Sequence, residues 1–431
     1  MRSGRPAPVL PASLLPPSIF LRLRLLAPLL AALVLILAAS PLRAQNSLPS
    51  GIGVQLQVWM TSPEDLREIR RLGFRFIRWG IAWEAIEKKR GEYDWTEPDE
   101  FLAAVRKAGL SSIVIIGGGN ALYSEQLELP DDPVVRERKA AAPPASGETL
   151  AAFQRFVAAA ARRYAGENVT WEFWNEPDSK FFWPPTPDPE AYAQLLSTTC
   201  RTIKDAAPAA LVIGPATAAL PNRVPKFYAA MVRAGAATCL DGLSMHSYRM
   251  HEDPQPDPES VEADNRSSRA VLERLAPQWR TIPMLCTEWG YPTSDLSPAA
   301  QASYLARAFL ANNASGIQAT VWYEWKDSRD EEKNPESHFG LKTLAGTFKT
   351  THDADLLRRL TSMRFLREVP SGDPELRIMQ FEDGPARVLV AWLRTADSAR
   401  TRTTRIGGKD VAVTSRPVIV PDPDTATPEA P

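Results

Sequence analysis

Eight short apolar segments, each bounded by Gly, Pro or polar turns and each followed by a helical stretch, constrain this chain more than any other feature. They are Gly53–Trp59, Phe74–Arg78, Ser112–Ile116, Thr170–Trp174, Leu211–Gly214, Gly242–His246, Pro283–Thr287 and Thr320–Trp325. Such runs read as parallel strands covered on both faces. Between them, Ser62-Pro63-Glu64-Asp65 is a helix start, with Ser as cap and Pro in the first turn. Thr96-Glu97-Pro98 and Ser146-Gly147-Glu148 read the same way. Leu150–Tyr164, Pro189–Ala206, Val224–Gly235, Ser260–Leu275, Pro298–Asn313 and Asp353–Phe365 complete the helical set. Eight strand–helix units predict an α/β fold, a closed (β/α)8 barrel. The rival is a doubly wound sheet, and it is weakened because no glycine-rich phosphate loop follows the first strand.

The connections are uneven. Strand-to-helix loops are long after strands 3, 4, 6 and 8, and Gly117–Ser146 alone is about 30 residues. Helix-to-strand turns such as Leu72-Gly73 are short. Barrels build their sites on the strand-to-helix face. The barrel is expected over residues 45–368. A small β module is expected over 369–420, from the strand-like segments Glu375–Glu382, Ala386–Arg394 and Val411–Val420. It is too small to stand alone and should pack on the barrel. Residues 421–431, rich in Pro, Thr, Asp and Glu, read as a disordered tail.

Residues 1–44 read as a signal peptide. Arg2, Arg5, Arg22 and Arg24 precede an apolar run, Leu25–Ala39, and Ala44 offers a small residue before Gln45. The run is short of the roughly 20 residues that span a bilayer, which leaves a membrane anchor as the alternative. The expected location is secreted or periplasmic. Formal net charge is −1, so nucleic acid and acidic membrane surfaces are not general partners. Three Cys match no zinc spacing, and four His leave little for a His-based metal centre, so no metal or other cofactor is expected. An exported chain could pair Cys200 with Cys239, but the sequence does not fix this.

Two carboxylates stand out. In Thr170-Trp-Glu-Phe-Trp-Asn-Glu-Pro177 a strand ends where Pro opens a loop, and alternation puts Glu172, Trp174 and Glu176 on one face. A Glu in a partly desolvated barrel mouth has its pKa raised, as a general acid requires. In Pro283-Met-Leu-Cys-Thr-Glu-Trp-Gly290, Met284, Cys286 and Glu288 share a face by the same rule. Glu176 closes strand 4 and Glu288 closes strand 7, nearly opposite in an eight-stranded barrel. Two carboxylates so placed can bracket a glycosidic bond. A gap of roughly 5–5.5 Å makes the second a nucleophile, and roughly 6.5–9.5 Å admits an attacking water.

Other strand ends carry supporting candidates. Arg78 could keep Glu288 ionised, Tyr248 of His246-Ser-Tyr could donate to it, and Asn175 could bond a sugar 2-hydroxyl. Trp322 or Trp325 could stack on a sugar face, as could loop residues Trp183, Phe181 and Phe182, while Asn120 and Tyr123 are candidates in the loop after strand 3. Each has a bland alternative as an ion pair, a satisfied core histidine or core packing. Cys286 reads as a small core residue.

Together these segments resemble clan A, the retaining glycoside hydrolases with (β/α)8 barrels and glutamates on strands 4 and 7. Trp-Asn175-Glu176-Pro177 is similar to the clan's acid/base segment, and Thr-Glu288-Trp-Gly to its nucleophile segment. Arg78, His246-x-Tyr248 and the strand 8 Trp also match. Trp83 to Gly91-Glu-Tyr-Asp-Trp95 resembles the loop after strand 2 in families 39 and 5, and His338-Phe-Gly-Leu341 a stretch of family 39-like proteins. The β module looks abbreviated beside the sandwich that often accompanies family 39 barrels. The resemblance implies hydrolysis of β-glycosidic bonds in an oligo- or polysaccharide through a covalent intermediate. A non-catalytic carbohydrate-binding barrel and a metal-dependent hydrolase are the alternatives.

Overall fold

The computed structural model describes residues 47–129, 139–248 and 256–423. The expected signal peptide and most of the expected tail lie outside the described residues. Eight parallel strands close a barrel: β1 Gly51–Gln55, β2 Phe76–Ala82, β3 Ser111–Gly117, β4 Val169–Phe173, β5 Leu211–Thr217, β6 Gly242–His246, β7 Met284–Trp289 and β8 Ile317–Trp322. Each pairs with its sequence neighbours, and β8 returns to β1 with Val54 opposite Trp322.

The outer layer is α1 Pro63–Leu72, α2 Thr96–Lys107, α3 Gly147–Arg163, α4 Pro189–Ala206, α5 Pro225–Arg233, α6 Val261–Leu275, α7 Pro298–Ala314 and α8 Ala354–Ser362. Among the described residues no helix is long and apolar enough to cross a membrane. Local chemistry sets several starts. Ser62 and Asp65 cap each other's backbone at α1, Asp188 caps α4, Ser297 caps α7 and Asp353 caps α8. Cys200 on α4 is disulfide-bonded to Cys239, settling a pairing the sequence leaves open.

Alternation divides each strand. One set of side chains fills the lower lumen: Phe76, Ile113, Ile213, Leu285, Ala319 and Val321, all at most 1% exposed. Gly53 is required there, because a Cβ would lie 2.2 Å from the Phe76 ring. The other set meets the helices in one large apolar cluster that includes Trp79, Trp171, Phe173, Met245, Cys286 and Trp322. A polar clasp ties the seam. Asp65 of α1 accepts from Trp325 Nε1 at 2.9 Å, Lys326 Nζ at 2.6 Å and Lys342 Nζ at 3.3 Å, all beyond β8.

Small antiparallel sheets follow the barrel. β9 Arg364–Glu368, β10 Leu376–Asp383, β11 Ala386–Leu393 and β14 Val418–Pro421 form one, and β12 Arg402–Ile406 pairs with β13 Lys409–Val413. Two expectations are corrected. The helix read over Asp353–Phe365 stops at Ser362, because Arg364–Glu368 pairs with β10 and Phe365 packs edge-on against Phe381. The strand read over Val411–Val420 is two, in different sheets. The module packs on the barrel through Met379, Phe381, Val390 and Trp392, with the Trp392 indole donating to Glu259 at 2.6 Å.

Candidate active site

Strand ends β2, β4, β6 and β7 converge on one guanidinium. Arg78 is buried in the upper lumen and donates through Nε to Glu172 at 2.6 Å, through Nη1 to Glu288 at 2.7 Å and to Gln55 at 3.1 Å, and through Nη2 to Asn175 at 2.8 Å. Its planar fork suits several acceptors at once. Glu172, fully buried beneath it, leaves Oε1 without a partner. Sequence reasoning passed over Glu172 and Gln55 as site residues, although strand parity put Glu172 on the face assigned to Glu176.

Glu176 faces this centre from the end of β4, but not by simple alternation. Trp174 has φ 71° and Glu176 φ 43°, and Ala216 on the next strand end has φ 53°. Non-glycine residues seldom adopt this left-handed region, and such strain gathers at functional sites. The turn at Trp174 breaks the expected parity. Trp174 joins the helix-facing cluster against Trp183, while Asn175 follows Glu172 towards Arg78. Backbone and side-chain bonds then fix the loop: Glu176 N donates to Ala216 O, and Asp178 accepts from Ala218 N and Ala219 N.

On β7 the expected face is likewise corrected. Met284 and Cys286 pack outward and Leu285 fills the lumen. The ladder to β6 slips between Met245–Cys286 and His246–Glu288, and this bulge carries Glu288 to the mouth. Gly290 is the enabling residue after it, because a Cβ there would lie 2.0 Å from Tyr323 O. Cys286 is a buried free thiol whose pKa burial pushes up to about 11, an inert core residue as expected.

The two carboxylates meet across the mouth. Glu176, His246 and Glu288 each bring an oxygen or nitrogen within 4.8 Å of the others, a spacing that could also suit a cation. The Arg78 guanidinium already holds Glu288. Burial pushes Glu176 up to about 7, opposed by Arg78. Burial also raises Glu288, against the pull of His246 and Arg78, and the charge of Glu176 adds to the rise. The sequence reading anticipated the cation beside Glu288 but not that burial outweighs it. When Glu176 holds a proton, one cause of that rise is gone.

His246 is fully buried, and burial lowers its pKa, which favours neutral imidazole. Nε2 faces the Arg78 Nη2 donor at 3.4 Å, so we assign the proton to Nδ1, which donates to Glu176 Oε1 at 2.7 Å. Tyr248 donates to Glu288 Oε1 at 3.3 Å.

Other candidates lie elsewhere. Trp322 packs beside Tyr291 in the layer between barrel and helices, and the Trp325 indole donates to Asp65. Asn120 uses its amide on Glu87 O and Leu122 N, Tyr123 donates to Glu87, and Trp183 packs on Tyr192. Lys180 lies over the ring of Phe181, and the Phe182 carbonyl accepts from the Trp174 indole. Just past the end of β8, the Tyr323 hydroxyl donates to Glu336 at 3.1 Å. Sequence reading missed both, because no motif marks them and Trp322 drew the attention.

Comparisons with known proteins agree with this fold. The closed barrel is similar to a family 39 glycoside hydrolase from Bacteroides cellulosilyticus WH2, with TM-score 0.69 and 21% identity over 86% of this chain and 81% of that one. It is also similar to a monomeric β-xylosidase from Caulobacter crescentus CB15, with TM-score 0.59 and 22% identity over 80% and 74%. A glucosidase from Croceicoccus marinus gives TM-score 0.57 and 16% identity over 88% and 81%. These likenesses establish the fold. A comparison with curated proteins finds no match. The sequence profile of glycosyl hydrolases family 39 matches residues 148–416, more than half of the chain and a span that includes both mouth glutamates. The chain therefore belongs to glycosyl hydrolases family 39 and is a glycosidase.

Proposed function

We propose that this glycosidase cleaves a β-glycosidic bond of an oligo- or polysaccharide with retention, Glu288 acting as nucleophile and Glu176 as general acid/base. The observation that carries the reading is the pair itself, with carboxylate oxygens within 4.8 Å across the mouth. Retaining enzymes hold their carboxyls at about 5–5.5 Å, whereas an attacking water needs about 6.5–9.5 Å. Environment divides the roles. Glu288 touches a guanidinium, which favours its anion, while burial keeps Glu176, whose neighbour His246 is a neutral imidazole, protonated to about pH 7.

In the first step Glu288 Oε attacks the anomeric carbon, the C–O bond to the leaving group breaks, and Glu176 gives its proton to the departing oxygen. In the second, Glu176 takes a proton from water, whose oxygen attacks the anomeric carbon and releases Glu288. His246 Nδ1–H orients Glu176 in both. Asn175, its carbonyl engaged by Arg78, offers its NH2 to the 2-hydroxyl. The Cys200–Cys239 disulfide supports reading the chain as exported, since such bonds persist in oxidising compartments.

Proton NMR during hydrolysis of an aryl β-glycoside should show the β-anomer first, with the α-anomer appearing later by mutarotation. Glu288→Gln should lower turnover by on the order of 10⁴-fold or more. An α-anomer released first, or a Glu288→Gln enzyme at the wild-type rate, would overturn the assignment.

A further inference from the structure

Beyond β8 the chain places a second set of polar groups beside Glu288. Glu324 is fully buried, and neither of its carboxyl oxygens meets a donor in good hydrogen-bond geometry, although the side chains of Ser328 and Gln57 lie close enough to act on it. Burial pushes its pKa up to about 8, with Gln57 and Ser328 pulling back and Glu336 and Asp327 adding to the rise. Buried polar groups are nearly always satisfied, so two poorly satisfied oxygens at the barrel mouth point to a ligand that completes their partners. The residues around it connect to the site. Tyr323 donates to Glu336 and packs edge-on against Phe339 at 5.3 Å. Phe339 in turn packs against Tyr248, whose hydroxyl reaches Glu288.

Nearby cations are already engaged. Lys349 is held by Asp327 at 2.8 Å, Lys326 by Asp65 at 2.6 Å, and Arg78 by Glu172 and Glu288, while the charge of Arg329 already acts on Glu336. The wall therefore offers carboxyl and hydroxyl groups. We propose that Tyr323, Glu324 and Glu336 form the wall that recognises the ring hydroxyls of the sugar above Glu288, and that they select an uncharged glycosyl ring over a uronic acid. This rests on the reading of Glu176 and Glu288 as the reacting pair. A sugar hydroxyl both donates and accepts, so it satisfies a carboxyl in either protonation state. A uronate carboxylate would be desolvated against Glu324 and Glu336, and the cations near them among the described residues, Arg329 beside Glu336 included, already face carboxylates.

The test uses glycosides that differ only at C6. The Glu288→Gln protein is titrated by calorimetry with 4-nitrophenyl β-D-glucoside and β-D-glucuronide, with the β-D-xyloside as a second neutral probe. At least one neutral glycoside should bind, and the glucuronide should bind at least about tenfold more weakly than the glucoside. Adding Glu324→Ala should weaken neutral binding about tenfold. Adding Glu324→Gln with Glu336→Gln should narrow the glucoside-to-glucuronide ratio, and thermal melts check that each variant is folded. Equal affinity for glucoside and glucuronide, unchanged neutral binding in folded Glu324→Ala, or no binding by any probe would overturn the wall. Wild-type turnover of the same compounds separates the two ideas. Discrimination in binding without any cleavage would sink the hydrolytic reading and leave the wall standing. Equal cleavage of glucoside and glucuronide would do the reverse.

Discussion

The two ends of the barrel lumen are built from the same strands and follow opposite rules. The lower end packs the apolar Phe76, Ile113, Ile213, Leu285, Ala319 and Val321, with the uncharged Thr170 beside Ile113. The upper end, reached by Phe76's neighbour two residues on and by Leu285's three residues on, holds Arg78, Glu172, His246 and Glu288 around a single cation. Burial stabilises the lower layer and raises the cost of the upper one, where each carboxylate is desolvated. The difference shows how this fold separates stability from chemistry along a strand only a few residues long.

The comparison can be broken most directly at Glu176. Glu176→Gln should lower kcat/KM on an unactivated glycoside by about 10²–10⁴-fold while raising Tm. The sign follows from its raised pKa: the folded state favours the neutral form, so ionisation between the unfolded carboxylate range and about pH 7 destabilises the fold. In the wild type, activity should fall as pH rises through about 7, and this alkaline limb should vanish in the variant. A lowered Tm, or an unchanged alkaline limb, would mean that the upper layer is not under this strain.

Arg78→Met removes the shared cation and leaves Glu172 and Glu288 uncompensated. Denaturant unfolding should show a loss of about 3–5 kcal/mol. The smallest effect tests the lower end. Leu285→Ala should cost about 3 kcal/mol by cavity formation, yet below its transition the variant should keep kcat/KM within a few-fold. A large fall in kcat/KM of still-folded Leu285→Ala would show that the layers are mechanically coupled.

All eight strands were legible because burial on both faces leaves a continuous apolar run that needs no tertiary information. The mouth glutamates were legible because Pro177 and Gly290 mark the strand ends beside them. Side-chain facing was not. Parity failed at Trp174, where the backbone enters the left-handed region, and around Thr287, where a bulge inserts a residue. Both are local departures that sequence periodicity cannot register. Arg364–Glu368 was missed as a strand because its partner at Leu376–Asp383, not its own pattern, decides its conformation. Tyr323 and Glu324 carry no recognisable spacing, and their significance comes from what surrounds them after the barrel closes.

The clasp on Asp65 bears on how the barrel is made. Its partners Trp325, Lys326 and Lys342 lie 260, 261 and 277 residues further along the chain. At a synthesis rate of about 5–20 residues per second, β1 waits on the order of ten to fifty seconds before β8 exists to cover its open edge. Until then that edge is a template for the wrong neighbour. The entropy of closing so long a ring grows only with the logarithm of its length, so extra residues in the intervening loops change it little. The timing of closure thus depends on the last barrel strand, and any chain cut short before β8 is left with an unsealed sheet.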